Sequence, residues 1–314
     1  MTAAQQALAS LKTDGVHLSL PELIRYQQLT RLLNQKPMSP PRATMSGGYL
    51  SRQKGRGMEF DEARHYLPGD DIRAIDWRVT ARTGKTHTKI YREERERPVF
   101  ILCDLTASMQ FGSQLLLKSV QAAHIAALLS WAAAARGDKV GALIFNDGMH
   151  RECKPLSRQR AVLSMCHELI RVQSSPAANH NSGAFTDACM RLRRLAKPGS
   201  LVYLISDFES LQQSAEQPLS HIARHCDVQA IRVDDPMDFS LPDVAIAQQV
   251  SVTDGFTDQS WLLGDKSLNK RYSQWRDSVS VNIEKTFKSK LVKYSRISAG
   301  LPLDQQMEAL GGRR

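Results

Sequence analysis

A short apolar segment that ends in an acidic residue constrains the fold of this chain most strongly. Residues 98–103 open with Pro98 and are otherwise apolar, a pattern typical of a strand buried on both faces, and Asp104 follows at its carboxyl end. Thr106 and Ser108 come next, at every second position, before a long helical pattern. Loops that follow the strands of an open α/β sheet line its ligand-binding crevice, so we expect these three side chains to converge there.

The three side chains offer one carboxylate and two hydroxyl oxygens. Oxygen atoms are the ligands that Mg²⁺ prefers, and this ion usually retains several water molecules in its coordination shell. A set of three protein ligands leaves room for a ligand from outside. The segment therefore predicts a Mg²⁺ or Mn²⁺ site with an open coordination position.

Strands and helices alternate regularly after Pro98. Strands are predicted over 98–104, 140–145, 201–205 and 228–233, a short antiparallel strand over 149–153, and helices over 113–135, 157–173, 186–195, 210–224 and 267–292. Residues 236–265, between the last predicted strand and the last predicted helix, form a strand-rich excursion from this alternating pattern, that is, a segment predicted to contain mainly strands. This alternation indicates an α/β fold with a doubly wound, mostly parallel sheet that is covered on both faces.

The residues before this alternating pattern divide into two further regions. Residues 1–48 contain a helix that begins at Ser19 and a Pro- and Gly-rich linker over 36–48. Residues 49–97 form an Arg/Asp-rich block that we expect to pack as a flanking subdomain. The third predicted region, 98–314, holds the sheet and a helical extension at its C-terminal end.

Charged residues alternate with two aromatic residues, Tyr66 and Trp77, in the Arg/Asp-rich block. Such a pattern is typical of a partly buried ion-pair network, with Trp77 as an apolar member of a short helix. That some of these charges face a partner protein is the open alternative. The Gly55-Arg56-Gly57 run lacks the Gly-Lys-Ser/Thr of a phosphate-binding loop.

The composition of the chain limits the kinds of binding partner and the cellular compartment that we expect. The net charge of +10 is spread along the chain, with a basic tail after Lys285 that lacks interleaved aromatic residues, so we expect no nucleic-acid partner. Five cysteines without paired spacing favour a reducing compartment. An N-terminus without an apolar leader pattern and the lack of a sufficiently long apolar run predict a cytoplasmic protein with no membrane span.

Two more polar residues are predicted at the same edge of the sheet. Asp207 follows the buried strand over 201–205, and Thr186 begins a helix after the loop over 181–185. The carboxyl ends of parallel strands share one edge, so both residues join the predicted site. The predicted metal ligands are therefore Asp104, Thr106, Ser108, Thr186 and Asp207.

This set resembles the metal-ion-dependent adhesion site of von Willebrand factor A domains. That site is Asp-x-Ser-x-Ser with a distant Thr and a distant Asp, matched here by Asp104-Leu-Thr106-Ala-Ser108, Thr186 and Asp207. Thr106 replaces the first serine and keeps its hydroxyl group. The resemblance implies a von Willebrand factor A-like fold that binds a carboxylate of a protein partner through the metal.

The upstream block resembles the signature of the bacterial family called domain of unknown function 58, over about residues 46–310. The matching residues are Gly55-Arg-Gly-x-Glu59-Phe60, then Arg64-x-Tyr66-x-Pro68-Gly69-Asp70-Asp71-x-Arg73-x-Ile75-Asp76-Trp77, then Ala81-Arg82. The resemblance implies a non-enzymatic adaptor that works with a MoxR-type AAA+ ATPase. Many relatives carry transmembrane helices ahead of the signature, a feature that this sequence lacks.

Two other interpretations of Asp104 stay open. In a haloacid-dehalogenase-like phosphohydrolase Asp104 would be the nucleophile and Asp234-Asp235 a second acidic motif, but that mechanism needs a carboxylate two residues later, where Thr106 stands. Alternatively, Asp104 only caps the following helix, while Thr106 and Ser108 bond to the backbone.

Overall fold

The computed structural model describes residues 3–33, 58–93, 98–175, 180–242, 244, 248–253 and 258–311. The chain divides into two compact units, one formed by Met1–Arg42 with Arg97–Arg314 and the other by Ala43–Glu96. The predicted linker over 36–48 and the Gly55-Arg56-Gly57 run lie outside the described residues, and the predicted domain boundaries stay predictions.

Helices and strands of the described residues are numbered in chain order. The helices are α1 (Ala3–Leu11), α2 (Leu20–Leu29), α3 (Trp77–Thr83), α4 (Lys118–Ala135), α5 (Gln159–Gln173), α6 (Ala184–Leu195), α7 (Glu216–His225) and α8 (Lys266–Ser289). The strands are β1 (Met58–His65), β2 (His87–Glu93), β3 (Pro98–Asp104), β4 (Lys139–Phe145), β5 (His150–Ser157), β6 (Leu201–Ser206), β7 (Asp227–Asp234), β8 (Gln248–Thr253), β9 (Asp258–Leu263) and β10 (Lys293–Ser298). No helix in this described part is both long and apolar enough to cross a lipid bilayer.

A six-stranded sheet organises the larger unit. Its strand order is β10-β7-β6-β3-β4-β5, and only β5 runs antiparallel to its neighbour. The predicted α/β class with a mostly parallel sheet is confirmed. The chain leaves β3 for β4 on one side and later returns to β6 on the other side, so the order reverses beside β3, where α/β sheets form their ligand-binding crevice.

Side chains of β3 alternate between two hydrophobic cores, one on each face of the sheet. Val99, Ile101 and Cys103 belong to the core that α4 and α5 cover. Phe100 and Leu102 belong to the core that α6 and α7 cover, together with the C-terminal half of α8. Burial on both faces explains why the sequence of this strand is a continuous apolar run.

Helix α2 is part of the hydrophobic core that α4 and α5 cover. Ser19 is its N-cap residue, as predicted, and the Ser19 backbone N–H donates to Glu22 Oε2 at 3.2 Å. Leu23 is fully buried, and its carbonyl accepts a 3.1 Å hydrogen bond from the Trp131 indole of α4. Glu22 also contacts the buried His124 of α4, so polar and apolar contacts together fix α2 on this face.

One predicted helix of the larger unit is corrected, and one strand of this unit was not predicted. The helix predicted over 113–135 begins only at Lys118, because the backbone N–H groups of Leu116 and Leu117 donate to the carbonyls of Ala299 and Gly15 instead. Residues 293–298, for which the sequence predicted no element, form β10 parallel to β7. The sequence of β10 is largely polar, so its apolar pattern did not indicate a strand. The strands predicted within residues 236–265 are confirmed, because β8 and β9 form an antiparallel hairpin there.

The described part of the smaller unit contains the antiparallel pair β1 and β2, a 3₁₀ turn over Ile72–Ala74, and α3. Part of the predicted charge pairing is present: Arg64 Nη2 lies 2.7 Å from Asp70 Oδ1. Asp76 caps α3 by accepting from the next backbone N–H groups. The interpretation of Trp77 as a packed apolar residue is wrong, because its position at the start of α3 leaves 67% of the residue exposed.

Candidate functional site

Asp104 lies fully buried at the carboxyl end of β3, and every group that bonds to it is neutral. Its Oδ1 accepts from the Thr106 backbone N–H at 2.9 Å and from the Thr106 hydroxyl at 2.7 Å. Its Oδ2 accepts from the Ser206 hydroxyl at 2.6 Å. Within the described residues no cationic side chain pairs with Asp104. Burial, reinforced by the nearby charge of Asp207, raises the pKa of Asp104 to about 7.

A tight loop after β3 holds the two predicted hydroxyl ligands next to this carboxylate. Thr106 Oγ1 and Ser108 Oγ are 3.4 Å apart, and Ser108 is only half-buried. Asp147, in the turn after β4, fixes the loop from outside by accepting from the Ala107 backbone N–H at 2.7 Å. The structure therefore brings together Asp104, Thr106 and Ser108, as the sequence predicted.

Asp207 follows β6 and reaches the same edge of the sheet, but it is already paired. Lys118 Nζ lies 2.8 Å from Asp207 Oδ2, and the Glu209 backbone N–H donates to Oδ1 at 3.0 Å. Although burial alone would raise the pKa of Asp207, the Lys118 charge holds it below its usual value. Asp104 and Asp207 are therefore close but electrostatically different carboxylates.

Thr186 is the predicted ligand that the structure does not join to the others. It lies in the first turn of α6 and is nearly buried, and its hydroxyl is 3.1 Å from Ser214 Oγ. In the part of the chain that the structure describes, no hydrogen bond links Thr186 to Asp104, Thr106 or Ser108.

Behind the site, buried acidic and basic side chains form a paired network. Arg276 Nη2 contacts Glu209 Oε1 at 2.8 Å and Asp238 Oδ1 at 3.1 Å. Arg232 Nε lies 2.7 Å from Asp234 Oδ1. Such pairing offsets much of the cost of removing these charges from water. Asp234, half of the acidic motif considered for a phosphohydrolase, is thus held in an ion pair.

Sequence reasoning missed three residues of the site: Lys118, Asp147 and Ser206. Lys118 lies inside the helix predicted over 113–135, and Asp147 lies between two predicted strands, where the sequence indicated no site residue. A signal existed for Ser206, because it directly precedes Asp207 at the end of a buried strand. For Lys118 no such signal existed, since its pairing depends on segments 89 residues apart.

Asp104, Thr106 and Ser108 present oxygen atoms of the kind that bind hard cations. No group of three or more His, Cys, Asp or Glu side chains in the described ranges is arranged to hold a metal ion. A cation here would depend on one carboxylate and two hydroxyl groups. Mg²⁺ accepts such a set, because it is commonly bound through one or two carboxylates with several waters.

The model of the family described as "Protein of unknown function DUF58" matches residues 62–278, which is more than half of the chain. The chain belongs to this family. The match is shorter than the region over which the sequence resembles the family signature, and it excludes Gly55, Glu59 and Phe60. As a DUF58 protein, the chain carries Asp104, Thr106, Ser108, Thr186 and Asp207 inside the matched region.

An uncharacterized protein of Mycobacterium bovis is 32% identical to this DUF58 chain over 200 residues, 64% of the chain. The chain spans about 62% of the length of that relative. Among solved structures, the conserved hypothetical protein BatB from Bacteroides thetaiotaomicron is 15% identical with a TM-score of 0.40, over 68% of this chain and 95% of BatB. A von Willebrand factor type A protein from Catenulispora acidiphila is 13% identical with a TM-score of 0.31, over 47% and 35%. The strand order of this chain, and not these distant likenesses, defines its fold.

Proposed function

We propose that this chain is a non-enzymatic protein-interaction module with a von Willebrand factor A-like site for Mg²⁺ or Mn²⁺. The observation that carries the proposal is the state of Asp104: a fully buried carboxylate that receives hydrogen bonds only from neutral groups. A bound divalent cation would compensate this charge, with Thr106 and Ser108 as the other protein ligands. Thr186 and Asp207 would then contribute through water.

The proposed partner supplies an Asp or Glu side chain. A divalent cation held by one carboxylate and two neutral hydroxyl groups retains net positive charge, so a further anionic oxygen is a favourable ligand. The half-buried Ser108 marks the side from which it would arrive. We propose a MoxR-type AAA+ ATPase as the partner, because the resemblance to the family implies one, and the cytoplasm as the compartment, because the cysteines favour a reducing one.

Metal binding is tested by calorimetric titration of Mg²⁺ and Mn²⁺ into the wild type, Asp104→Asn and Asp277→Asn. We expect saturable binding in the wild type and in Asp277→Asn, whose altered carboxylate is on the exposed face of α8, and at least a tenfold loss of affinity in Asp104→Asn. Equal binding by all three proteins would show that Asp104 is not a ligand.

Partner binding is tested separately, by measuring association with a MoxR-type ATPase of the same organism, with Mg²⁺ and with a chelator. We expect the complex to need metal and to weaken in Thr106→Ala. A complex that forms equally well in all conditions would place the contact elsewhere, in the Arg/Asp-rich block or the basic region after Lys285. The proposal also predicts no turnover of p-nitrophenyl phosphate, and turnover that depends on Asp104 would favour the phosphohydrolase.

A further inference from the structure

Lys118 is a buried cation directly beside the candidate metal site. It is the first residue of α4, and its side chain is only 4% exposed. Its Nζ lies 2.8 Å from Asp207 Oδ2 and 3.6 Å from Asp238 Oδ2. A buried ammonium group is costly unless paired, so these contacts hold the charge in place. Burial alone would lower the pKa of Lys118, but the two carboxylates raise it, and the side chain stays charged.

The neighbouring charges make Lys118 the specific partner of Asp207. Arg276 pairs with Glu209 and with the second oxygen of Asp238. No Arg, Lys or His other than Lys118 pairs with Asp207 within the described ranges. The two carboxylates at this edge thus differ sharply: Asp207 has an internal cation, and Asp104 has neutral donors only.

We propose that Lys118 competes with the divalent metal for Asp207 and thereby keeps the metal affinity of the site low. This inference rests on the proposed function, since it assumes a metal at Asp104. The number of charged ligands is a main determinant of the affinity of a site for hard cations. While Lys118 neutralises Asp207, the site offers the metal one effective carboxylate, and the ammonium charge also repels the metal. Lys118 therefore acts on metal binding through its ion pair with Asp207 and not as a metal ligand.

A double-mutant cycle tests the inference through metal affinity, measured by calorimetry with Mg²⁺ and Mn²⁺. Lys118→Met should tighten binding at least tenfold, while Lys154→Met, on the exposed edge strand β5, should bind like the wild type. In the wild type, Asp207→Asn should weaken binding less than in the Lys118→Met background, because it leaves the Lys118 charge unpaired but removes no metal ligand. The same substitution in the Lys118→Met background should weaken binding at least tenfold, because Asp207 has become a ligand there.

Each outcome bears on one hypothesis. If the wild type binds metal and Lys118→Met binds no more tightly, or if Asp207→Asn weakens binding as much in the wild type as in the Lys118→Met background, the inference is overturned while the proposed function stands. If the wild type binds too weakly to detect and Lys118→Met binds measurably, the inference is supported. If neither protein binds, the proposed metal site fails and the inference with it. Should Lys118→Met not fold, as judged by its thermal melt, Lys118→Gln takes its place in the cycle, with the same expected differences.

Discussion

Replacement of Leu23 by alanine tests whether α2 belongs to the same cooperative unit as the central sheet. Leu23 is fully buried among residues of α4 and α5. The substitution removes three carbon atoms, worth about 2.4 kcal/mol at about 0.8 kcal/mol each. The cavity adds a further cost, so that Leu→Ala changes at such sites total about 2–5 kcal/mol. We expect the free energy of unfolding to fall by that amount.

The measurement is urea unfolding followed by circular dichroism, with Leu291→Ala as the matched control. Leu291 lies in the same unit and is 83% exposed, so the same chemical change there should cost less than about 0.5 kcal/mol. A single transition shifted to lower urea concentration in Leu23→Ala is the expected result. If Leu23→Ala unfolds like the control, or if it loses only a small separate transition, α2 is a detachable appendage and the reasoning is refuted.

Three further predictions concern single residues. Gly141→Ala should lower the free energy of unfolding by about 1–3 kcal/mol in urea titrations. A Cβ there would lie 2.9 Å from an aromatic ring of β3 and 3.1 Å from a backbone carbonyl of β5. An unchanged midpoint of unfolding would contradict this prediction. Trp77→Ala should change the thermal melting point little, because the residue is 67% exposed, and a large drop would mean that the indole is buried in solution. Burial raises the pKa of Cys166 to about 12, so at pH 8 iodoacetamide should leave this thiol unlabelled in the native protein and label it in urea, as mass spectrometry can show.

The apolar pattern of the sequence was enough to predict the centre of the sheet. The bounds predicted for β3 are the observed ones, and the first residue of β4 differs by one position. Both strands are buried on both faces, so burial requires that nearly all of their residues be apolar, and the apolar pattern alone predicts them. Strand β10 lies at the edge of the sheet, where few of its residues need to be apolar, so only its pairing with β7 identifies it as a strand.

The candidate site was predictable where its residues follow one another in the chain or directly follow a buried strand, as Asp207 does. Asp104, Thr106 and Ser108 share one loop, so their spacing carried the information. The pairing of Lys118 with Asp207 is a tertiary contact, and local patterns do not encode which buried charges meet. The hydroxyl of Thr186 lies 3.1 Å from Ser214 Oγ, a contact that its position in the sequence does not predict.

The family match ends at residue 278, before β10 and within α8. A protein expressed only to that residue would lack β10, which pairs with β7, leaving a row of unpaired backbone N–H and C=O groups along that edge of the sheet. It would also lose Arg296, whose Nε lies 2.8 Å from Asp234 Oδ2. Exposed edges of this kind pair with other chains, so such a fragment would aggregate. The sequence boundary of the family is therefore not the boundary at which this protein folds.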